Sequence, residues 1–188
     1  MNLTICAAQR PYAGETVCGD AYSVVDGERT LIALADGLGH GPAAAEAANA
    51  FCRFAAERPS TGLRALMTLA SDEIAKTRGA AAALLRIDLP RGELEFAGVG
   101  NIEVRAVSRE PIKPVSVAGI VGRRMRKVRV FGYPVHRGDL LIAFTDGISS
   151  RLSLTDYAEL DEQSLADRVM ADHGKLHDDA TCVVIRCM

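Results

Sequence analysis

Leu31-Ile32-Ala33-Leu34-Ala35-Asp36-Gly37 and, far downstream, Leu140-Leu141-Ile142-Ala143-Phe144-Thr145-Asp146-Gly147 are two apolar runs that each finish in Asp-Gly. Continuous apolar runs of this length, bounded by turn residues, fit strands buried on both faces. Two further segments are their mirror images. Gly19-Asp20 precedes Ala21-Tyr22-Ser23-Val24-Val25, and Asp178-Asp179 precedes Ala180-Thr181-Cys182-Val183-Val184-Ile185. Two strands therefore end in aspartate and two begin with it. In an antiparallel sheet the end of one strand lies beside the start of its neighbour. Asp20, Asp36, Asp146 and Asp178 can thus gather on one edge.

The first pair can be checked from the numbering. Residue 28 is the midpoint of residues 20 and 36, and it falls inside Asp26-Gly27-Glu28-Arg29, which carries the Asp-Gly signature of a tight hairpin. Like charges directly opposite each other destabilise a sheet unless something compensates. Asp-Gly after a strand is, taken singly, an ordinary turn signal. The joint pattern calls instead for a divalent cation with hard oxygen ligands, Mg²⁺ or Mn²⁺ rather than zinc. Ala35-Asp36-Gly37-Leu38-Gly39-His40-Gly41-Pro42 is a glycine-rich turn running into a helix. Its glycines let the backbone approach an ion or phosphate, and the helix start offers free N–H groups and positive dipole. It matches neither the P-loop nor the dinucleotide fingerprint.

Outward from these blocks, Leu3 to Gln9 reads as a first strand, and Ala21 to Val25 and Thr30 to Ala35 as a hairpin. Gly41-Pro42 opens a helix to about Glu57, and Pro59-Ser60-Thr61 ends it and caps a second from Gly62 to Thr77. Ala81 to Asp88 and Glu93 to Val99 form another hairpin. Strands are expected at Glu103 to Val107, Ile112 to Val117, Lys127 to Tyr133 and Asp139 to Phe144. A short helix near Leu165 to Ala171 precedes a last strand at Thr181 to Arg186. Hairpins with clustered helices argue for an α+β layered architecture of mainly antiparallel sheets.

The 188 residues predict one domain, 1–188, with no linker, repeat or low-complexity tract. With 48% hydrophobic and 24% charged residues the chain is too apolar to be disordered. A net charge of −2 argues against nucleic acid or an anionic membrane as the main partner. No apolar run is long enough to span a bilayer, and Met1-Asn2-Leu3-Thr4 does not read as a signal peptide. Cys6, Cys18, Cys52, Cys182 and Cys187 show no zinc or redox spacing, nor do His40, His136, His173 and His177. Reduced thiols in a cytoplasmic protein are expected, with Cys18, beside Gly19-Asp20, the one placed near a site.

Gly19-Asp20, Ala35-Asp36-Gly37-Leu38-Gly39-His40-Gly41, Phe144-Thr145-Asp146-Gly147-Ile148 and Asp178-Asp179-Ala180-Thr181 together resemble the metal-dependent (type 2C) protein phosphatases. The resemblance is to the bacterial SpoIIE-like branch, and within it to short stand-alone RsbX-like members. It implies an α-β-β-α sandwich of two sheets flanked by helices, with two ions, Mn²⁺ or Mg²⁺, at one edge. Carried over, Asp36 bridges both ions and the Gly37 carbonyl helps hold one of them. Asp20 supports that ion, Asp146 and Asp178 hold the other, and Asp179 stands behind them. The implied reaction is hydrolysis of phosphoserine or phosphothreonine by a water that the two ions make acidic, with Asp36 and Asp146 acting through it. The implied substrate is a phosphorylated STAS-domain protein of a stress or sigma-factor partner-switching pathway. Two other readings are a non-catalytic phosphoprotein-binding module on the same fold and a hydrolase of small phosphate esters.

The chain departs from the wider family in three places. Leu38 stands where eukaryotic members carry a proposed proton-donating histidine, and Glu15 where they carry a phosphate-binding arginine. Ser23 replaces an aspartate of many SpoIIE-like relatives. Phosphate recognition and leaving-group protonation are left unassigned, with His40 not established as an equivalent. Arg123, Arg124, Arg126, Lys127 and Arg129 form a basic run. It reads either as a solvated edge strand protected by charge, or as a docking surface for an acidic phosphoprotein or a source of the missing arginine.

Overall fold

The computed structural model describes residues 1–125 and 127–188; of the basic run, Arg126 lies outside the described residues. Among the described residues nine strands and three α-helices follow in the order β1 (Leu3–Arg10), β2 (Asp20–Val25), β3 (Arg29–Gly37), α1 (Pro42–Ala56), α2 (Leu63–Glu73), β4 (Ala80–Asp88), β5 (Glu93–Val99), β6 (Glu103–Val107), β7 (Phe131–Pro134), β8 (Leu140–Phe144), α3 (Glu162–His173) and β9 (Ala180–Cys187), with a 3-10 turn at Leu154–Tyr157 before α3. One sheet runs β1-β9-β8-β6 and the other β2-β3-β4-β5-β7. Every pairing of named strands is antiparallel.

The period of two along each strand divides the core into three layers. In β3, Leu31, Ala33 and Ala35 pack with Phe51 of α1 and Leu66 of α2. Ile32 and Leu34 face the other way, joining Leu141 and Ala143 of β8 and Val183 and Ile185 of β9 between the sheets. Leu140, Ile142 and Phe144 then meet Leu165 and Val169 of α3. Helices, sheet, sheet and helix therefore stack as an α-β-β-α sandwich, as expected. The central strands are apolar on both faces because each lies inside two core layers.

Three local expectations are corrected. Ile112 to Val117 forms no strand: Pro111 and Pro114 remove backbone donors, and only Val117 pairs, with Val99. Lys127 to Tyr133 is strand only from Phe131, which pairs with Phe96. Beyond Phe96 the free side of β5 is taken by Val117, which donates to Gly98. Helix α2 stops at Glu73, because the Thr77 hydroxyl bonds the Ile74 carbonyl at 2.7 Å and turns the chain. Its N-cap is Gly62, without a side-chain cap. The buried Arg86 of β4 holds the preceding turn, donating to the carbonyls of Pro59 (2.7 Å) and Thr61 (2.6 Å). Among the described residues no helix is long and apolar enough to cross a membrane.

Candidate active site

The β2–β3 register sets Asp20 directly opposite Asp36. Asp36 shares the parity of Ile32 and Leu34, so it belongs to the face between the sheets. Thr145, Thr181 and Gln9 reach that seam from the other sheet. The β8–β9 ladder continues one step past Phe144, with the Thr145 amide donating to the Thr181 carbonyl at 3.0 Å, and Gln9 pairs with Thr181 across β1 and β9. Thr145 Oγ1 then donates to Asp20 Oδ2 at 2.7 Å, and Gln9 Nε2 donates to the Asp20 carbonyl at 3.0 Å. Asp20 is thus the carboxylate at which the two sheets are joined.

Charge repulsion is visible in the titration of the group. Burial pushes Asp36 up to about 8, helped by the charges of Asp20, Asp146 and Asp178. Burial likewise raises Asp20 to about 7, against the Thr145 and Thr181 hydrogen bonds that favour its charged form. Asp178 is raised by burial and by Asp146, while Lys175 opposes the shift. Asp36 thus lies within reach of the charges of the other three aspartates singled out in the sequence, at one end of the sandwich.

Glycines keep this end narrow. A Cβ on Gly37 would lie 2.0 Å from the Ala44 carbonyl oxygen, and one on Gly147 would lie 1.9 Å from the Asp179 carbonyl oxygen. The turn from β3 into α1 needs positive φ at Gly39 (90°) and Gly41 (71°), and Pro42 opens the helix. Asp179 accepts from the Tyr12 amide at 2.9 Å and sits against Gly19.

Asn101, Lys175 and Tyr12 gave no sequence signal of their own. Asn101 Nδ2 donates to Asp146 Oδ2 at 2.7 Å, and Lys175 Nζ donates to the Asp146 carbonyl. Glu15 Oε1 accepts from His40 Nδ1 at 2.7 Å, and Tyr12 stacks on the His40 ring at 4.6 Å. Thr145 precedes Asp146 within a quoted block, so its position, though not its bond to Asp20, was legible.

The donor set suits a hard divalent cation. Asp20 Oδ1 and Asp179 Oδ2 are buried and have no hydrogen-bond partner, an unfavourable state for carboxylate oxygens unless an ion or water meets them. Among the described residues no three Asp, Glu, His or Cys side chains close on a point as a complete metal cage. Magnesium-type ions do not require an all-protein cage, since they keep several waters among their ligands.

A two-sheet sandwich flanked by helices, with carboxylates facing one another at the end of the seam, is the arrangement of a type 2C protein phosphatase. Residues 26–188 match the family model described as Stage II sporulation protein E (SpoIIE), and the chain belongs to the SpoIIE family. That match contains Asp36, Asp146, Asp178 and Asp179 and begins after Asp20. The chain is 26% identical over 139 residues to the phosphoserine phosphatase RsbX of Bacillus subtilis (strain 168), covering 72% of this chain and 70% of that protein. Among solved structures, a chain from work on the bacterial stressosome, described as a modular system adapted to control secondary messenger signalling, superposes with a TM-score of 0.95. It is 32% identical, with 99% of this chain and 100% of that one covered. RsbX in complex with magnesium gives a TM-score of 0.88 at 20% identity, with 99% and 96% covered, a likeness of fold.

Proposed function

We propose that this phosphatase is a single domain, residues 1–188, that uses two divalent cations, Mn²⁺ or Mg²⁺. Asp36, the Gly37 carbonyl and Asp20 would hold one ion, and Asp36, Asp146 and Asp178 the other, with Asp179 behind them. The observation that carries this reading is the Asp20–Asp36 pair, Asp20 buried and Asp36 half-buried, set face to face with an unpartnered Asp20 oxygen. When bound, such cations lower the pKa of water and stabilise negative charge on a phosphoryl group.

The chain's own residues do the positioning. Thr145 fixes the Asp20 carboxylate by donating to Oδ2, which leaves the buried Oδ1 without a partner in the protein. Asn101 orients Asp146 through Oδ2. Lys175 offsets part of the negative charge around Asp146 and Asp178. Gly37 and Gly147 leave no side chain between the carboxylates and the backbone behind them.

Serine-phosphorylated STAS-domain proteins of a stress partner-switching pathway are the proposed substrates. The likeness to phosphoserine phosphatase RsbX and to a chain from the stressosome work supports this choice. The five free cysteines fit a reducing compartment, and the cytoplasm is the proposed site of action. Comparing phosphate release from a serine-phosphorylated STAS protein, free phosphoserine and an aryl phosphate tests the substrate class. A kcat/KM highest for the phosphoprotein is expected; equal or better turnover of free phosphoserine would instead make the chain a small-ester hydrolase.

A further inference from the structure

Arg123, Arg124, Lys127 and Arg129, the described cations of the basic run, lie outside the strands. The segment between β6 and β7 folds back over the end of the second sheet, next to the acidic centre. Asp36 pairs with Ala81 and Gly37 with Ala80, and Ala80 in turn exchanges hydrogen bonds with Val121 at 3.1 and 2.9 Å. Val121 therefore stands beside β4 as β4 stands beside Gly37, roughly two strand spacings, or about 10 Å, from the end of β3 that carries Asp36.

Within this segment the cations divide into two kinds. Arg123 is engaged internally, donating to the carbonyls of Thr77 (2.6 Å) and Arg78 (3.3 Å). That contact holds the turn in which Arg78 Nη1 lies 2.8 Å from where a Cβ on Gly39 would be, against the loop after Asp36. Arg78, Arg124, Lys127 and Arg129 are exposed, and among the described residues none has a carboxylate at ion-pair distance. Lys127 and Arg129 line a cleft of about 430 Å³ with Val115, Ser116 and Phe131. Val115 and Ser116 also line an adjoining cleft that reaches Asn101, the residue bonded to Asp146. A groove with unpaired cations at one end thus leads to the acidic centre at the other.

The geometry points to this groove as the docking site for an acidic segment of the substrate protein, flanking its phosphorylated serine. Charge complementarity selects the occupant. The chain as a whole is slightly acidic, whereas Arg124, Lys127 and Arg129 present exposed positive charge on this flank, so an acidic substrate segment meets opposite charge here. Opposite charge at such a rim acts mainly on encounter rate and specificity. The inference rests on the phosphatase reading for the identity of the substrate, and its test is built to fail separately.

The probes are two fluorescent phosphoserine peptides of one length, one with Asp and Glu around the phosphoserine and one with Asn and Gln. Binding is followed by anisotropy in the Asp36→Asn protein, with and without Lys127→Glu and Arg129→Glu together. Phosphate release from both peptides and from p-nitrophenyl phosphate is followed with Asp36 intact. The acidic peptide is expected to bind at least tenfold tighter than the neutral one, with an advantage that shrinks as salt rises and vanishes in the double variant. Release from p-nitrophenyl phosphate is expected to be unchanged by that variant. Equal binding of the two peptides, or an equal loss on both, would overturn the docking site even in an active enzyme. Selective binding without release from any substrate would leave the docking site standing and remove the phosphatase reading.

Discussion

Asp20 and Asp36 lie directly opposite each other across the β2–β3 hairpin, two carboxylates in positions where a sheet ordinarily places complementary side chains. Thr145 reaches from the facing sheet to Asp20 at 2.7 Å, so the repulsive pair is also the point where the two sheets meet. A fold that concentrates like charge at its seam gives up stability there unless a cation is present.

Asp36→Asn should therefore act in opposite directions on activity and on metal-free stability. Loss of one electrostatic partner of the reaction is expected to lower kcat by about 100-fold or more. In EDTA the same change should raise the urea midpoint at pH 8. The sign follows from carboxyl groups whose folded pKa values, about 7 for Asp20 and about 8 for Asp36, lie above the unfolded value of 3.8. Their contribution is fully present below the unfolded value and is lost as pH rises through the folded ones. The metal-free wild type should weaken between pH 5 and pH 8.5, and Asp36→Asn should flatten that slope. A variant less stable than wild type at pH 8 in EDTA would count against the repulsion argument.

Thr145→Val removes the donor to Asp20 and the acceptor of the Thr181 amide at 3.0 Å. A loss of about 1–3 kcal/mol in stability is expected from the buried groups left unpaired. The Mn²⁺ concentration for half-maximal activity should rise by about 10–100-fold, as is usual when a residue orienting a metal ligand is lost. Thr145→Ser, which keeps the hydroxyl, should restore metal affinity; failure to do so would show the effect to be one of packing alone.

Arg86→Ala should destabilise without touching chemistry. Its guanidinium is buried in the sheet face beneath the α1–α2 turn, where it satisfies the Pro59 and Thr61 carbonyls. A cost of about 2–4 kcal/mol is expected from orphaned carbonyls and the cavity left behind. Residual activity per folded molecule should equal that of wild type, measured below the new melting temperature.

Cys18 lies beside the acidic centre but should be a poor nucleophile. Its thiol donates to the Arg10 carbonyl at 3.4 Å, and burial, with Asp20 and Asp179 adding, pushes it up to about 12. At pH 8 it should hold on the order of a thousandfold less thiolate than an ordinary cysteine. In EDTA, iodoacetamide is expected to label it far more slowly than in urea-unfolded chain, as read by peptide mass; rapid labelling of the folded protein would refute the assigned environment.

The layering and the four aspartates were legible because they rest on local regularities: apolar runs of strand length, Asp-Gly turns, and a hairpin midpoint at residue 28. What was not legible depends on pairing across long sequence distances. Nothing in Asn101 or Lys175 marks them as neighbours of Asp146. Ile112 to Val117 and Lys127 to Tyr133 have β-type composition, yet of these only Phe131 onward forms strand, because Pro111 and Pro114 break donor continuity and Val117 occupies the side of β5 that a longer strand would need. The end of α2 was missed for a similar reason, as the Thr77 hydroxyl competes with the helix for the Ile74 carbonyl. The basic run was read with two meanings, and its place beside Ala80 bears on which of them holds.

The most direct measurement is phosphate release from a serine-phosphorylated STAS protein by the chelated enzyme, before and after Mn²⁺ is added, with Asp36→Asn in parallel. No release in EDTA, release restored by Mn²⁺, and release from the variant lowered by about 100-fold or more at any Mn²⁺ concentration are the expected results. Release that persists in EDTA, or that is undiminished by loss of Asp36, would contradict a cation-dependent centre built on the Asp20–Asp36 pair.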